Sequence, residues 1–455
     1  MRMKQKNSKW MPNLFHFKSL ALALALVLSI FTSSLLASQS SNPQDIRLAP
    51  GDDKTGYEQQ NYTTNSLSLE QRNGVSADLL SIAKANQLGL PVLSEEVTQG
   101  LTSSIIQLGR KLFFDRRLSL NKTMSCAMCH IPEQGFSNNE LARPIGFEGR
   151  ALKRNAPTIL NVAYVDRLFA DARESSLEQQ VWSPLLASNE MNNPSIGYVI
   201  DTINDSDDYS QVFENAFGEP ANMLNIGVAL AQYERSLISG NSRFDRWLFA
   251  KETKALNANE IAGYYLFIGK AGCIACHHIK QSEKTALFTD NLLHNTGVGY
   301  RDSMLSPAST VSVQIAPGIT TKLDQKIINS IGSEKPNDLG RYEVTLDPND
   351  RWKYRTPSLR NIALSAPYMH NGKFLSLQDV IVFYNQGGEP NPLLSPLIRP
   401  LNLSKSEQAN LAAFLRSLTG SNLKTLIADA FAAPIGDAGS NAGVKTDEQL
   451  ESLQK

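Results

Sequence analysis

Two short cysteine–histidine pentads constrain this chain more than any other feature. Cys126, Cys129 and His130 form one Cys-x-x-Cys-His motif, and Cys273, Cys276 and His277 form the other. Between them they use all four cysteines of the sequence. The pattern is the attachment signature of c-type haem, in which two thiols join the vinyl groups and the adjacent histidine reaches the iron. The expected cofactors are therefore two covalent c-type haems, with His130 and His277 as proximal ligands. A single zinc site built from the four thiols would leave both histidines unexplained. A thioredoxin-type dithiol would open a βαβ pattern that is not visible.

The N-terminus predicts export. Arg2, Lys4, Lys6 and Lys9 precede an apolar run from Ser19 to Ala37 that ends in small residues. This is the shape of a signal peptide, 1–37, with cleavage near Ala37. An uncleaved anchor is the alternative, because the run is nearly long enough to span a bilayer. Export to the periplasm fits the cysteines, since c-type haem is attached outside the bacterial cytoplasm. Lys plus Arg and Asp plus Glu both number 44, so net charge gives no reason to expect nucleic acid or an anionic membrane surface.

Residues 38–100 form a polar extension, with a short helix possible at Ser76–Asn86 and the folded part starting near Ser103. Apolar residues at helical spacing precede each pentad: Gly109 to Phe114 before the first, Gly263 to Ile268 before the second. Two closing helices are expected. Ile226, Leu230, Tyr233 and Leu237 mark one apolar face; Leu411, Phe414, Leu415 and Leu418 mark the other. The second opens on a Ser404/Glu407 capping box. The fold class is thus mainly α: two cytochrome c-like domains, 101–250 and 251–420, each with one covalent haem and related by a pseudo-twofold. Residues 301–337 are a polar insertion, either a plain surface loop or a functional one. Residues 421–455 are expected to be a flexible tail.

Beyond the pentads, the residues resemble the bacterial di-haem cytochrome c peroxidase and MauG family. The matching segments are Arg154–Asn161, Leu177–Gln180 leading to Pro184, Asn189–Met191, Asp338–Arg341, Arg355–Asn361 and Ala366–Gly372. The resemblance implies an enzyme that reacts with hydrogen peroxide. It assigns Glu190 and Gln180 to the distal side of the N-terminal haem. A carboxylate there can move a proton between the peroxide oxygens, and an amide can steady the leaving hydroxide. It also implies a calcium ion between the domains, held by the Asn155 side chain and the carbonyls of Ser365 and Pro367; oxygen ligands suit calcium.

Three positions depart from the common family pattern. Phe147 stands where many members carry a histidine that caps the catalytic iron, so the N-terminal haem is expected to be five-coordinate. Tyr384 stands where peroxidases of the family have methionine and MauG-like members have tyrosine. As distal ligand of the His277 haem, a phenolate would favour ferric and higher oxidation states. Ala170 stands where many relatives carry a tryptophan between the haems, which leaves the electron route open, with Trp182 as a candidate. The resemblance, with Phe147 and Tyr384, implies a periplasmic oxidoreductase that uses peroxide to reach high-valent iron and oxidise a partner protein. One alternative is peroxide detoxification with a small redox protein as donor. Another is a non-catalytic di-haem electron carrier, which requires two six-coordinate irons. His278 is expected at the surface or on the propionate side, and His294 and His370 against haem propionates or lining the cleft between the domains.

Overall fold

The computed structural model describes residues 74–304, 310–316, 319–324, 327 and 337–434. The expected signal peptide, most of the extension and the end of the tail lie outside them. Among the described residues the protein is mainly helical, with four short strands in two antiparallel pairs. No helix there is long and apolar enough to cross a membrane.

Two helix crossings organise the molecule. The helix Ser103–Phe114 packs on Met223–Ser236, and Ala258–Ile268 packs on Lys405–Arg416. Each crossing is made possible by a glycine. A methyl group on Gly109 would sit 1.9 Å from the Ala229 carbonyl oxygen, and one on Gly263 would sit 2.0 Å from that of Asn410. The same turn of each helix then delivers an aromatic ring. Phe113 lies 5.2 Å from Tyr233, and Phe267 lies 5.1 Å from Phe414, both tilted by about 60°. The expected apolar faces are the buried ones: Ile226, Leu230, Tyr233 and Leu237 in one core, and Leu411, Phe414, Leu415 and Leu418 in the other. Each fully buried leucine contributes roughly 1.5–3 kcal/mol of transfer free energy. The Ser404/Glu407 capping box is present.

A second level of repetition joins the crossings. Asn161 and Asn361 both adopt left-handed backbone, open a short 3-10 turn and accept a backbone N–H from the far end of the closing helix segment. Antiparallel bridges follow at Leu168–Glu174 and at Tyr368–Phe374. Each pair of equivalents is separated by 200 positions (161 and 361, 168 and 368, 174 and 374). The halves meet through reciprocal bonds: Asn155 N–H donates to the His370 carbonyl (2.8 Å), and Arg355 N–H donates to that of Ala170 (2.7 Å).

Three expectations need correction. The folded part begins well before Ser103. The short helix forms as Leu79–Lys84, and Leu79, Leu90 and Leu93 are buried in the first core. This segment also ties the two halves together. Gln87 bonds the 238–240 backbone, while the Gly89 carbonyl accepts from Arg360, whose guanidinium is fully buried against Asp245 (2.9 Å). Polar composition hid this because the few leucines carry the packing. The tail is likewise structured at its start. Leu423–Phe431 is a helix that buries Leu423, Leu426 and Ile427 in the first core, and its Asp429 pairs with Arg110 (2.5 Å). The 301–337 insertion is not simply a loop. It starts inside the helix Val298–Met304 and contains the hairpin Thr310–Ala316/Ile319–Asp324.

Candidate functional site

The two pentads are folded alike. Each pair of cysteines opens a 3-10 turn, Cys126–Met128 and Cys273–Ala275, and the histidine N–H closes back on the first cysteine carbonyl at 2.9 Å. None of the four cysteines is paired in a disulfide, and burial raises the pKa of each thiol. Both histidines face the aromatic ring of the preceding helix: Phe113–His130 and Phe267–His277 each have centroids 6.5 Å apart at 46°.

The histidines fit the ligand role on hydrogen-bonding grounds. His130 Nδ1 faces the carbonyls of Pro157 (3.0 Å) and Phe136 (3.3 Å), and His277 Nδ1 faces that of Phe288 (2.7 Å). A carbonyl partner fixes the proton on Nδ1 and leaves Nε2 with its lone pair outward, as a metal ligand requires. Burial lowers both pKa values, so the rings are neutral. Thiols, spacing and tautomer all fit covalent haem.

What stands near each pentad differs. Glu190 lies within electrostatic reach of the first, where its charge pushes both thiols up. Burial raises the Glu190 pKa, and Arg173 partly offsets that. Its backbone is latched to the loop of Phe147. The buried Phe147 donates its N–H to the Glu190 carbonyl (2.9 Å), and a methyl group on Gly146 would sit 2.1 Å from the Asn189 oxygen. Gln180 ends the helix Leu177–Gln180, half-buried, four residues before Pro184.

Tyr384 lies within electrostatic reach of the second pentad. It lies on the helix Leu377–Asn385 close to Cys273 and Cys276, and burial raises its phenol pKa. An iron at His277 would oppose that shift, since a bound cation favours the deprotonated ligand. The 200-position repeat makes Pro184 the counterpart of Tyr384. Proline has no ligating atom, so of the two equivalent positions the second alone carries a side-chain oxygen.

The expected calcium ligands lie where the halves meet. Asn155 bonds the His370 carbonyl, five residues beyond Ser365 and three beyond Pro367, while its side-chain amide donates to Ala142 (3.0 Å). Trp182 is buried in the first core against Gly227, not between the halves. His278 is exposed. His294 pairs with Asp290 (2.8 Å); these two and Cys276 lie within 4.8 Å, but the Cys276 sulfur belongs to the pentad and is spent on a thioether when haem attaches. His370 is stacked on Tyr354, with centroids 3.7 Å apart at 12°.

Sequence reasoning missed three groups here. Arg173 bonds Asp171 (2.9 Å), faces Glu190 and covers the Phe169 ring. Arg154 bridges Asp171 and Asp338 at 2.6 Å each. Glu234, buried near Cys126, has its pKa raised to about 8 by burial. Arg154 opens one of the family-like segments and could have been read as an ion-pair former; nothing in the sequence marks Arg173 or Glu234.

Comparison with known proteins agrees with this arrangement. Residues 103–253 match the family model for di-haem cytochrome c peroxidase. The methylamine utilization protein MauG of Methylorubrum extorquens is 36% identical over 70% of this chain and 79% of its own length. Cytochrome c551 peroxidase of Pseudomonas aeruginosa is 30% identical over 74% and 86%. The crystal structure of a MauG-like protein associated with microbial copper homeostasis superposes with a TM-score of 0.61 at 29% identity, covering 77% of this chain and 97% of that one. These similarities set aside the electron-carrier alternative: the chain belongs to the di-haem cytochrome c peroxidase family that includes MauG, and it is an oxidoreductase of that peroxidase type.

Proposed function

We propose that the protein is a periplasmic di-haem oxidoreductase that consumes hydrogen peroxide and oxidises a partner protein, as the MauG-like branch implies. The observation that carries this reading is the unlike pair Pro184 and Tyr384 at equivalent positions of two alike halves. Cys126, Cys129 and His130 would hold a haem, which would supply a redox-active iron able to react with peroxide. Neither Phe147 nor Pro184 has an atom that could ligate that iron. Glu190 accepts a proton from bound peroxide and returns it to the departing oxygen, and its raised pKa suits both tasks. Gln180 donates a hydrogen bond to the same oxygen. Cys273, Cys276 and His277 would hold the second haem, with the Tyr384 oxygen as a further iron ligand that would favour ferric and higher oxidation states. Asn155, Ser365 and Pro367 would hold a calcium ion between the two cytochrome c-like domains, whose reciprocal Asn155 and Arg355 bonds support a pseudo-twofold arrangement. The N-terminal signal delivers the chain to the periplasm. The hairpin of the 301–337 insertion offers a surface for the partner.

The test compares wild type with Tyr384→Met. The ferric wild type should show one high-spin and one low-spin haem in electron paramagnetic resonance, both bleaching on one equivalent of peroxide. Methionine should raise the potential of the second haem by on the order of 0.1 V, within the ~0.8 V that axial ligands command. Two low-spin haems that ignore peroxide until half-reduced would defeat the reading. The similarity to cytochrome c551 peroxidase favours a second one, detoxification with a small redox protein as donor. Turnover with a small cytochrome that exceeds turnover with any periplasmic protein acceptor would select it.

A further inference from the structure

We propose that electrons pass between the two haem sites along a bridge through the protein, whose one through-space link is the stacked pair Tyr354 and His370. The inference rests on the reading that each pentad carries a haem.

The bridge can be traced from one proximal histidine to the other. His130 Nδ1 meets the Pro157 carbonyl at 3.0 Å. Two residues back along the chain, Asn155 N–H donates to the His370 carbonyl at 2.8 Å, which crosses from the first half to the second. The His370 ring lies over Tyr354 at 3.7 Å and 12°, close enough for the two π-systems to touch face to face. From Tyr354 the backbone runs to the Thr356 carbonyl, which accepts the Thr289 hydroxyl at 2.6 Å. Thr289 follows Phe288, whose carbonyl meets His277 Nδ1 at 2.7 Å. Every other step is covalent.

Position and protonation agree with this role. Ala170 brings no aromatic ring to the crossing, but its carbonyl accepts Arg355 N–H at 2.7 Å, so the 354–355 strand lies directly against it. By the 200-position repeat His370 is the counterpart of Ala170. The ring missing from the first half is thus supplied by the second. The Tyr354 hydroxyl donates to the Asp338 backbone carbonyl (3.0 Å), which is not a base. The pair therefore serves as a bridge and is not itself oxidised. One electron leaves one iron, one electron arrives at the other, and no proton moves at Tyr354.

The test uses the fully loaded protein, half-reduced and bound to carbon monoxide. Photolysis releases the gas, and redistribution of the electron between the haems is followed optically; no substrate is turned over. Tyr354→Leu and His370→Leu should each slow redistribution by about tenfold, equivalent to ~1.4 kcal/mol of barrier. The double variant should be no slower than either single one, because both break the same link; such coupling, not mere intermediacy, is what establishes a pathway. Tyr354→Phe should keep the wild-type rate. Thr289→Val, a near-isosteric change, should slow it even if the stack variants fold poorly. Unchanged rates in the leucine and valine variants would overturn the proposal, as would a phenylalanine variant as slow as leucine, which would mean a proton-coupled hop through the phenol. Haem content is measured first. One haem per chain would defeat the underlying reading, whereas two haems with unchanged rates would defeat only the bridge.

Discussion

The two halves repeat the same helix crossing and the same ring-to-histidine contact, and they differ in what stands around each pentad. Gly109 and Gly263 admit their partner helices equally, and Phe113 and Phe267 meet the two histidines at the same distance and angle. Yet Pro184 stands where the second half has Tyr384, Ala170 stands where it has His370, and a buried Glu190 with its Arg173 attends the first site. The scaffold fixes the proximal side, where packing and tautomer tolerate little. The distal side is carried by loop and helix ends, where a side chain can change without disturbing a core. Function diverged where the structure could allow it.

The sharpest way to break the comparison is Glu190→Gln. The amide keeps the shape and removes the base, so the reaction of ferric protein with peroxide should slow by about 10²–10⁴. Stopped-flow bleaching of the Soret band measures it. The second haem should keep its ferric spectrum, because Glu190 acts electrostatically on Cys126 and Cys129 and not on the second pentad. The acidic limb of the pH–rate profile, set in wild type by a carboxyl raised above its ordinary range, should vanish in the variant.

A matched pair of substitutions sharpens the comparison instead. Gly109→Ala and Gly263→Ala each drive a methyl group to about 2 Å from a backbone carbonyl in a closely packed helix crossing. Backbone must move in both, and the cost should be similar, towards the upper end of ~1–3 kcal/mol. Thermal unfolding of the two variants should give equal losses. A large difference would mean that one crossing bears far more of the stability than the other.

Much of this was legible in the sequence because it is written in spacing. Two pentads, the apolar faces of the four crossing helices and the Ser404 capping box depend on local periodicity, and all appear where expected. What escaped depends on distance in space. The 74–101 segment looked like a linker because its polar residues dominate the composition, but Leu79, Leu90 and Leu93 bind the first core and the Gly89 carbonyl completes the buried Arg360–Asp245 pair. The 423–431 helix was hidden in an alanine-rich tail. The hydrogen-bonded path from His130 to His277 could not be read at all, since each link joins residues remote in sequence.

Glu234 offers the smallest and most specific test of the comparison. At the closing crossing, Tyr233 and Phe414 are equivalents, so Glu234 corresponds to Leu415, and both are only 8% exposed. One half therefore buries a carboxyl where the other buries a hydrocarbon. Burial raises the Glu234 pKa from 4.5 to about 8, against the partial relief given by Arg235. Between those values the folded chain holds a proton that the unfolded chain has released. Stability must then fall as pH rises through the window, and the slope must end near pH 8. Glu234→Gln should flatten this decline, with a gain on the order of 1 kcal/mol at neutral pH and little change at pH 4. Leu415→Glu should install a similar decline from the second half. Thermal midpoints of the haem-loaded proteins across pH 4–9 decide the matter. A wild-type midpoint that rises with pH through the window would show that Glu234 finds a cationic partner in the loaded protein and is charged, which would make the first core polar by design where the second is not.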